Sequence, residues 1–494
     1  MCQCMISPLL ALGLFTAAPS GPPEPTLKPL VSVVDLDLGQ SRDVQLCDGS
    51  KVHVKLLQID EKVDSVREGV RSAGVAVEVN GQRIQLLAAP YQLPQTQAGV
   101  QIDCPVTRGY LKNAQSNYWG LASDARLRLW PAGSPWMQPG TFGYPVRQCW
   151  FASSTQMANE PCYVDGGENP KSRKIYYHYG LDFGGCEGLV EIVAATDGLV
   201  VSSGRDALPG YAGTPVNPRY DVVYVLDSRG WYYRYSHLFS IDATIKPGHR
   251  VRMGDRIGIL GKEGGSGGWS HLHFDIHCRM PSGQWGCQES YAFAWEAYQR
   301  QHQPQLIAVA RPHHTIFTGE TVLLDATRSW SAAAPITRYH WTFTDGSTAE
   351  GKTVRRRYDR PGYYSEILKV TAASGQVDYD FAIVDVVDRA DADPTPPTIH
   401  ATYHPTFGIR PGDAVTFKVR TFGTTDGAEE WDFGDGSPRV ETRSDGNVKA
   451  LAKDGYAQRV HRFAKPGVYL VRVTRSDRRG WTAFGHLRVR VEAP

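Results

Sequence analysis

Ser270-His271-Leu272-His273-Phe274-Asp275-Ile276 alternates polar residues with branched and aromatic ones, the pattern of a strand with one face in a core. His271 and His273 then share one face, while Leu272 and Phe274 turn to the other. Two imidazoles side by side on a rigid strand can hold a metal and act on what the metal binds. Upstream, His178-Tyr179-Gly180-Leu181-Asp182 offers an imidazole and a carboxylate on either side of a glycine, where a missing side chain lets backbone or substrate come close. Between these pieces, Tyr235-Ser236-His237-Leu238 adds a further imidazole. One His, one Asp and a third ligand from the HxH strand leave an open fourth position for water, as expected of catalytic rather than structural zinc.

Each fragment alone recurs by chance, and the framework between them carries the reading. Short apolar runs such as Gly188 to Ser202, Tyr220 to Leu226 and Trp231 to Tyr235 are broken by glycine turns at Gly230, Gly248, Gly254, Gly258 and Gly261 and by the loop Gly264 to Gly268. That spacing describes a compact antiparallel β domain. With HxxxD, the YxHL block and HLHF in this order, residues 165–302 resemble the lysostaphin-type (LytM-like) zinc endopeptidases that cut peptide cross-links in bacterial peptidoglycan. The resemblance implies His178, Asp182 and His273 as the ligands of one Zn2+ per chain, with His237 and His271 as catalytic histidines beside the metal-bound water. Some relatives have lost such residues and only bind or activate other hydrolases; this chain keeps all five.

A centre of one carboxylate and two neutral imidazoles keeps a net positive charge, which lowers the pKa of bound water to about 7 and polarises a carbonyl. No HExxH helix is present, so the base and oxyanion roles fall to the two free histidines, and the sequence does not divide those roles between them. Asp275 and His277 continue the same strand face. They either orient a ligand from behind or are ordinary polar residues at a strand end, the commoner case.

With 494 residues, 41% hydrophobic and 21% charged, the chain has room for three or four domains. A formal net charge of +2 argues against dedicated nucleic-acid binding. Residues 1–18 carry an apolar run of about 13 residues ending in small ones, which reads as a secretory signal without the usual basic start. No other apolar stretch is long enough to span a membrane, so the expected location is secreted or periplasmic. The nine cysteines are widely spaced and form no CxxC zinc site. The expected pairs are Cys278 with Cys287 and Cys149 with Cys162, with Cys186 a small buried thiol.

Residues 28–155 form a β-rich segment of unknown role. Val75 to Val79, Asn80-Gly81 and Arg83 to Leu87 read as a type I′ hairpin, and Asp60 to Ser72 as a short helix. Trp119, Trp130, Trp136 and Trp150 read either as ordinary core, the weightier option, or as a wall-binding surface. Relatives of the peptidase have pro-regions that occlude the site, so the segment could also confer latency.

Beyond Pro304 an internal repeat begins. Trp341-Thr-Phe-Thr-Asp345-Gly346-Ser is echoed by Trp431-Asp-Phe-Gly-Asp435-Gly436-Ser, and Pro361-Gly-Tyr-Tyr364 by Pro466-Gly-Val-Tyr469. The later copy carries roughly 15 extra loop residues around Glu441 to Gly455. Residues 305–388 and 398–494 resemble PKD-type β-sandwiches, Ig-like in architecture, with Trp and Phe turned inward and Asp-Gly in a tight turn. Asp388 to Pro397 is a semi-rigid spacer, and His313, His314, His400 and His404 are expected at the surface.

The expectation is a mainly β, secreted zinc metalloendopeptidase hydrolysing stem or cross-bridge peptides of peptidoglycan. Its sandwiches would meet an envelope polysaccharide or protein. Two other readings are a non-catalytic envelope-binding or activator protein on the same fold, and a zinc peptidase acting on exported proteins.

Overall fold

The computed structural model describes residues 21–112, 114, 116–149, 156–157, 161–163, 175–391 and 395–493. The proposed signal segment, Trp150, the side chain of Cys162 and residues 392–394 of the spacer lie outside these residues. The chain is mainly β, and among the described residues its one α-helix is α1, Tyr291–His302.

Two four-stranded antiparallel sheets make the N-terminal unit, one of Ser32–Leu36, Ala125–Pro131, Val100–Thr107 and Gln95–Gln97, the other of Ser41–Gln45, Lys51–Val63, Val70–Val79 and Gln82–Ala88. Their inner faces share one core that includes Leu56, Val77, Ile102 and Leu127. Asn80 and Gly81 both have positive φ, with Val79 opposite Gln82, as the type I′ turn requires. The helix expected over Asp60 to Ser72 is absent. Lys51–Val63 runs on as a strand, Asp64 Oδ1 accepts from the amides of Val66 and Arg67, and the Asp64 amide donates to Gly69 O, closing a turn back into Val70–Val79. Trp119 and Trp130 are fully buried, so the core reading holds for both.

The central sheet positions the site. Its strands are β1 (Leu181–Gly184), β2 (Gly198–Ser203), β3 (Val223–Leu226), β4 (Tyr232–Ser236), β5 (His271–Arg279) and β6 (Trp285–Gln288). The order is β2-β3-β4-β5-β1, all antiparallel, with β6 paired to the far half of β5 and residues 156–157 on the outer edge of β1. On β5, Leu272, Phe274 and Ile276 enter a core shared with Leu181, Phe183, Tyr233, Tyr235 and the α1 residues Phe293 and Trp295. A smaller sheet of Glu191–Val193, Arg256–Leu260 and Leu238–Ile241 lies beside it. Residues 143–147 bond across to this sheet, so the end of the N-terminal segment is woven into the central unit.

Cys278 and Cys287 are both free thiols. On paired strands Cys287 stands opposite His277, one residue out of register with Cys278, and the two side chains enter different cores. That alternation excludes the expected bridge. Cys149 is also free, its Sγ 3.2 Å from the Tyr298 hydroxyl, while Cys186 is a buried thiol as expected.

The two repeats are Ig-like sandwiches. Gly362–Ala372 of the first and Thr482–Val491 of the second meet in parallel at Tyr363 and Ala483, so one sheet runs through both copies. His313, His314, His400 and His404 are half-buried rather than exposed, because this part of the chain packs against the other units.

Candidate metal centre

Register brings the first ligands together. Asp182 on β1 is directly opposite His273 on β5, and His273 is opposite Ser236 on β4, which places His237 one residue beyond. Gly180, between His178 and Asp182, has φ +78°, and a Cβ there would come 2.5 Å from Phe274 O. The backbone of β5 therefore occupies the space that the glycine leaves free.

His178 Nε2, Asp182 Oδ1 and His273 Nδ1 face one another at 2.9 to 3.0 Å. Tetrahedral zinc ligands at 2.0–2.1 Å would stand about 3.3 Å apart. Two imidazole nitrogens and one carboxylate oxygen brought together on three buried residues form the donor set of a divalent cation. Burial opposes charge on Asp182, yet the His178 and His271 imidazoles hold its carboxyl well below the usual range. Burial likewise opposes charge on His273, and its hydrogen bonds with Asp182 and Asp275 override it, raising the pKa.

Asp275 is fully buried and pairs with His273 Nε2 at 3.0 Å, His277 Nδ1 at 2.7 Å and Arg234 Nη1 at 3.3 Å. It is thus the carboxylate behind a candidate ligand, not a strand-end residue, and it leaves Nδ1 of His273 facing His178 and Asp182.

His237 and His271 flank the three donors, their rings 4.7 Å apart. His237 donates from Nδ1 to Glu263 O at 2.6 Å, and His271 from Nδ1 to Trp269 O at 3.1 Å. A carbonyl only accepts, so each neutral ring carries its proton on Nδ1 and a lone pair on Nε2. His271 Nε2 lies 3.4 Å from Asp182 Oδ2. Burial pushes both histidines below the ordinary value, His271 further, while the hydrogen bond to Asp221 works against that trend in His237. All five side chains come together, and none of the five residues is more than 7% exposed.

Sequence reasoning missed Asp221. Its Oδ2 accepts the His237 amide at 3.0 Å, and Arg219 grips it through two nitrogens. The bond helps hold His237 at φ +68°, a left-handed conformation that costs on the order of 1 kcal/mol or more in a non-glycine residue. An aspartate at the head of the apolar run Val222 to Leu226 was the available signal.

The match to Peptidase family M23 spans residues 176–283, and matches to the PKD domain span 302–386 and 399–487. A curated relative, an "Uncharacterized metalloprotease" of Haemophilus influenzae, is 24% identical over 229 residues, 43% of this chain and 44% of its own length. The chain thus spans under half of that relative. Among solved structures, Csd3 of Helicobacter pylori in its hexagonal crystal is 14% identical, covering 55% of this chain and 80% of its own, at a TM-score of 0.20. The fibronectin(III)-like modules of Clostridium thermocellum CbhA are 12% identical, covering 38% and 94%, at a TM-score of 0.16. No described helix is long and apolar enough to cross a membrane. A Peptidase family M23 domain of the LytM-like type, built around a His-Asp-His cluster, is followed in this chain by two PKD domains.

Proposed function

We propose that the chain is a secreted zinc endopeptidase that hydrolyses peptide bonds in the stem or cross-bridge peptides of peptidoglycan. The observation that carries this reading is the convergence of His178, Asp182 and His273 on one point with two Nε2 lone pairs beside it. A zinc ion held there would polarise the scissile carbonyl and acidify water.

The chain supplies the proton handling. His237 and His271, kept neutral by burial at ordinary pH, accept a proton at Nε2. Once charged, each faces a carboxylate: His237 lies 3.6 Å from Asp221 and His271 lies 3.4 Å from Asp182. From there the proton can pass to the leaving amine or stabilise the oxyanion. Asp275 fixes the ring of His273, and the buried setting strengthens each of these interactions. The PKD domains would hold the enzyme on an envelope polysaccharide or protein.

Digestion of purified peptidoglycan with and without a chelator, with mass analysis of the released peptides, tests the proposal. New amino termini that vanish on chelation and return with zinc are expected. Unchanged peptidoglycan, or release that persists in His178→Ala and Asp182→Ala, would refute it.

A further inference from the structure

Resting on the reading of His271 as a catalytic histidine, we infer that the second PKD domain completes the active site, with Tyr456 and Arg420 as positioning residues for His271. The backbone just before His271 is bonded to that domain residue by residue. The Ser270 amide donates to the Tyr456 hydroxyl at 2.7 Å, Arg420 Nη1 donates to Gly268 O, and Asn447 Nδ2 donates to Gly267 O at 3.0 Å. Between Gly268 and Ser270, Trp269 lays its indole on the His271 ring, with centroids 3.8 Å apart and planes 19° from parallel. The same indole also meets His400 of the second PKD domain, edge-on at 5.1 Å.

The network has a defined direction. The Tyr456 hydroxyl accepts from Ser270, so its own proton goes to His400 Nδ1 at 2.8 Å. His400 must then be the neutral acceptor, in keeping with burial that pushes it down to about 3. Arg420 is fully buried and also grips Asp445 through two nitrogens and the carbonyls of Lys449 and Ala450. It therefore ties the extra loop of the second copy to the glycine loop that ends at His271. A Cβ on Gly268 would fall 2.2 Å from Asn447 Oδ1, so the two loops are in close contact. Lys418, donating to Glu187 O at 2.7 Å, and Thr402, 3.1 Å from the Cys186 thiol, dock the same domain below β1.

The test uses the full chain loaded with one equivalent of zinc. Tyr456→Phe removes one oxygen and keeps the ring. In that variant, hydrogen exchange across residues 262–270 should accelerate at Ser270 in both metal-free and loaded protein. Its kcat on a soluble cross-linked muropeptide should fall about tenfold, with KM within twofold and zinc content unchanged, as expected when an aligned catalytic group loses its support. Trp269→Phe should keep most of kcat by preserving a ring against His271, whereas Trp269→Leu should lose as much as Tyr456→Phe. Unchanged exchange and unchanged kcat in Tyr456→Phe would overturn the inference, as would a fall in kcat that only tracks lost zinc. A wild-type chain that cleaves nothing would defeat the catalytic reading instead, and the exchange result would still decide whether the second PKD domain braces this loop.

Discussion

The two PKD copies are built around cores of the same pattern, each its own, and differ in what they touch. In each, the signature tryptophan is fully buried and its indole N–H is satisfied inside, Trp341 by Gly351 O at 3.1 Å and Trp431 by Thr442 Oγ1 at 2.9 Å. In each, the Asp-Gly turn is closed by a serine amide, and the tyrosine after Pro-Gly donates to the carbonyl four residues earlier, Tyr364 to Arg360 and Tyr469 to Lys465. The first copy leans on the N-terminal unit, where Ser65 donates to Glu320 at 2.6 Å and Arg311 lies over the Tyr91 ring. The second sits against the glycine loop that ends at His271. A common scaffold has thus been given two different contacts by residues outside its signature, which a repeat pattern cannot report.

The widest separation should come from chemistry. His271→Ala should cut turnover about 10²- to 10⁴-fold while zinc stays bound, the range for loss of a general acid or base. That loss sets the ceiling for any substitution in the second copy, and a second-copy variant that exceeds it would show that the domain does more than brace His271.

Next, Arg420→Ala strands Asp445 and leaves Gly268 O without its buried donor, so it should cost about 3 kcal/mol or more in thermal or urea unfolding and lower turnover as well. Arg357 of the first copy pairs with Asp359 where both side chains are exposed, and Arg357→Ala should cost about 1 kcal/mol or less with turnover unchanged. Equal effects on turnover would erase the contrast between the copies.

A pH series separates them again. Burial pushes the Glu366 carboxyl of the first copy up to about 7, so the folded domain holds a proton that the unfolded chain releases near pH 4.3. Its contribution to stability is complete below about pH 4.3 and is lost as pH rises through 7. Glu366→Gln should therefore flatten the fall in melting temperature between pH 5 and pH 8. In the second copy the buried acid Glu429 is met by Arg475 at 2.6 Å, both side chains fully buried. The smallest effect belongs to Arg338→Gln on the exposed face of the first copy, whose melting temperature should match that of the parent chain.

The parts legible in the sequence were those set by local pattern. The alternation in His271 to Ile276 fixed which residues share a face, and the Trp-x-Phe and Asp-Gly pairs placed the sandwich cores. Asp60 to Ser72 misled because Asp64 bonds the next amides as a helix N-cap does, and only the return to Gly69 distinguishes a turn from a first helical turn. The cysteine pairing failed because closeness in sequence says nothing of which side of a sheet each thiol occupies. Helix α1 gave no clear amphipathic stripe, since Tyr291 to Ala294, Trp295, Ala297 and Tyr298 are buried on nearly every side. Asp221, Tyr456 and Arg420 were hidden for another reason: each acts across more than ten residues of chain, and a single sequence holds no record of such distances.

Asp182 and His273 stand opposite each other on neighbouring strands, so ladder hydrogen bonds set their separation. A cation can be met only by rotation of the side chains, as in the step from 2.9–3.0 Å to the roughly 3.3 Å that zinc asks for, and not by a shift of the strands. Cobalt, close to zinc in size, should raise the melting temperature about as zinc does, whereas calcium, which needs six or more oxygens at 2.3–2.6 Å, should leave it unchanged.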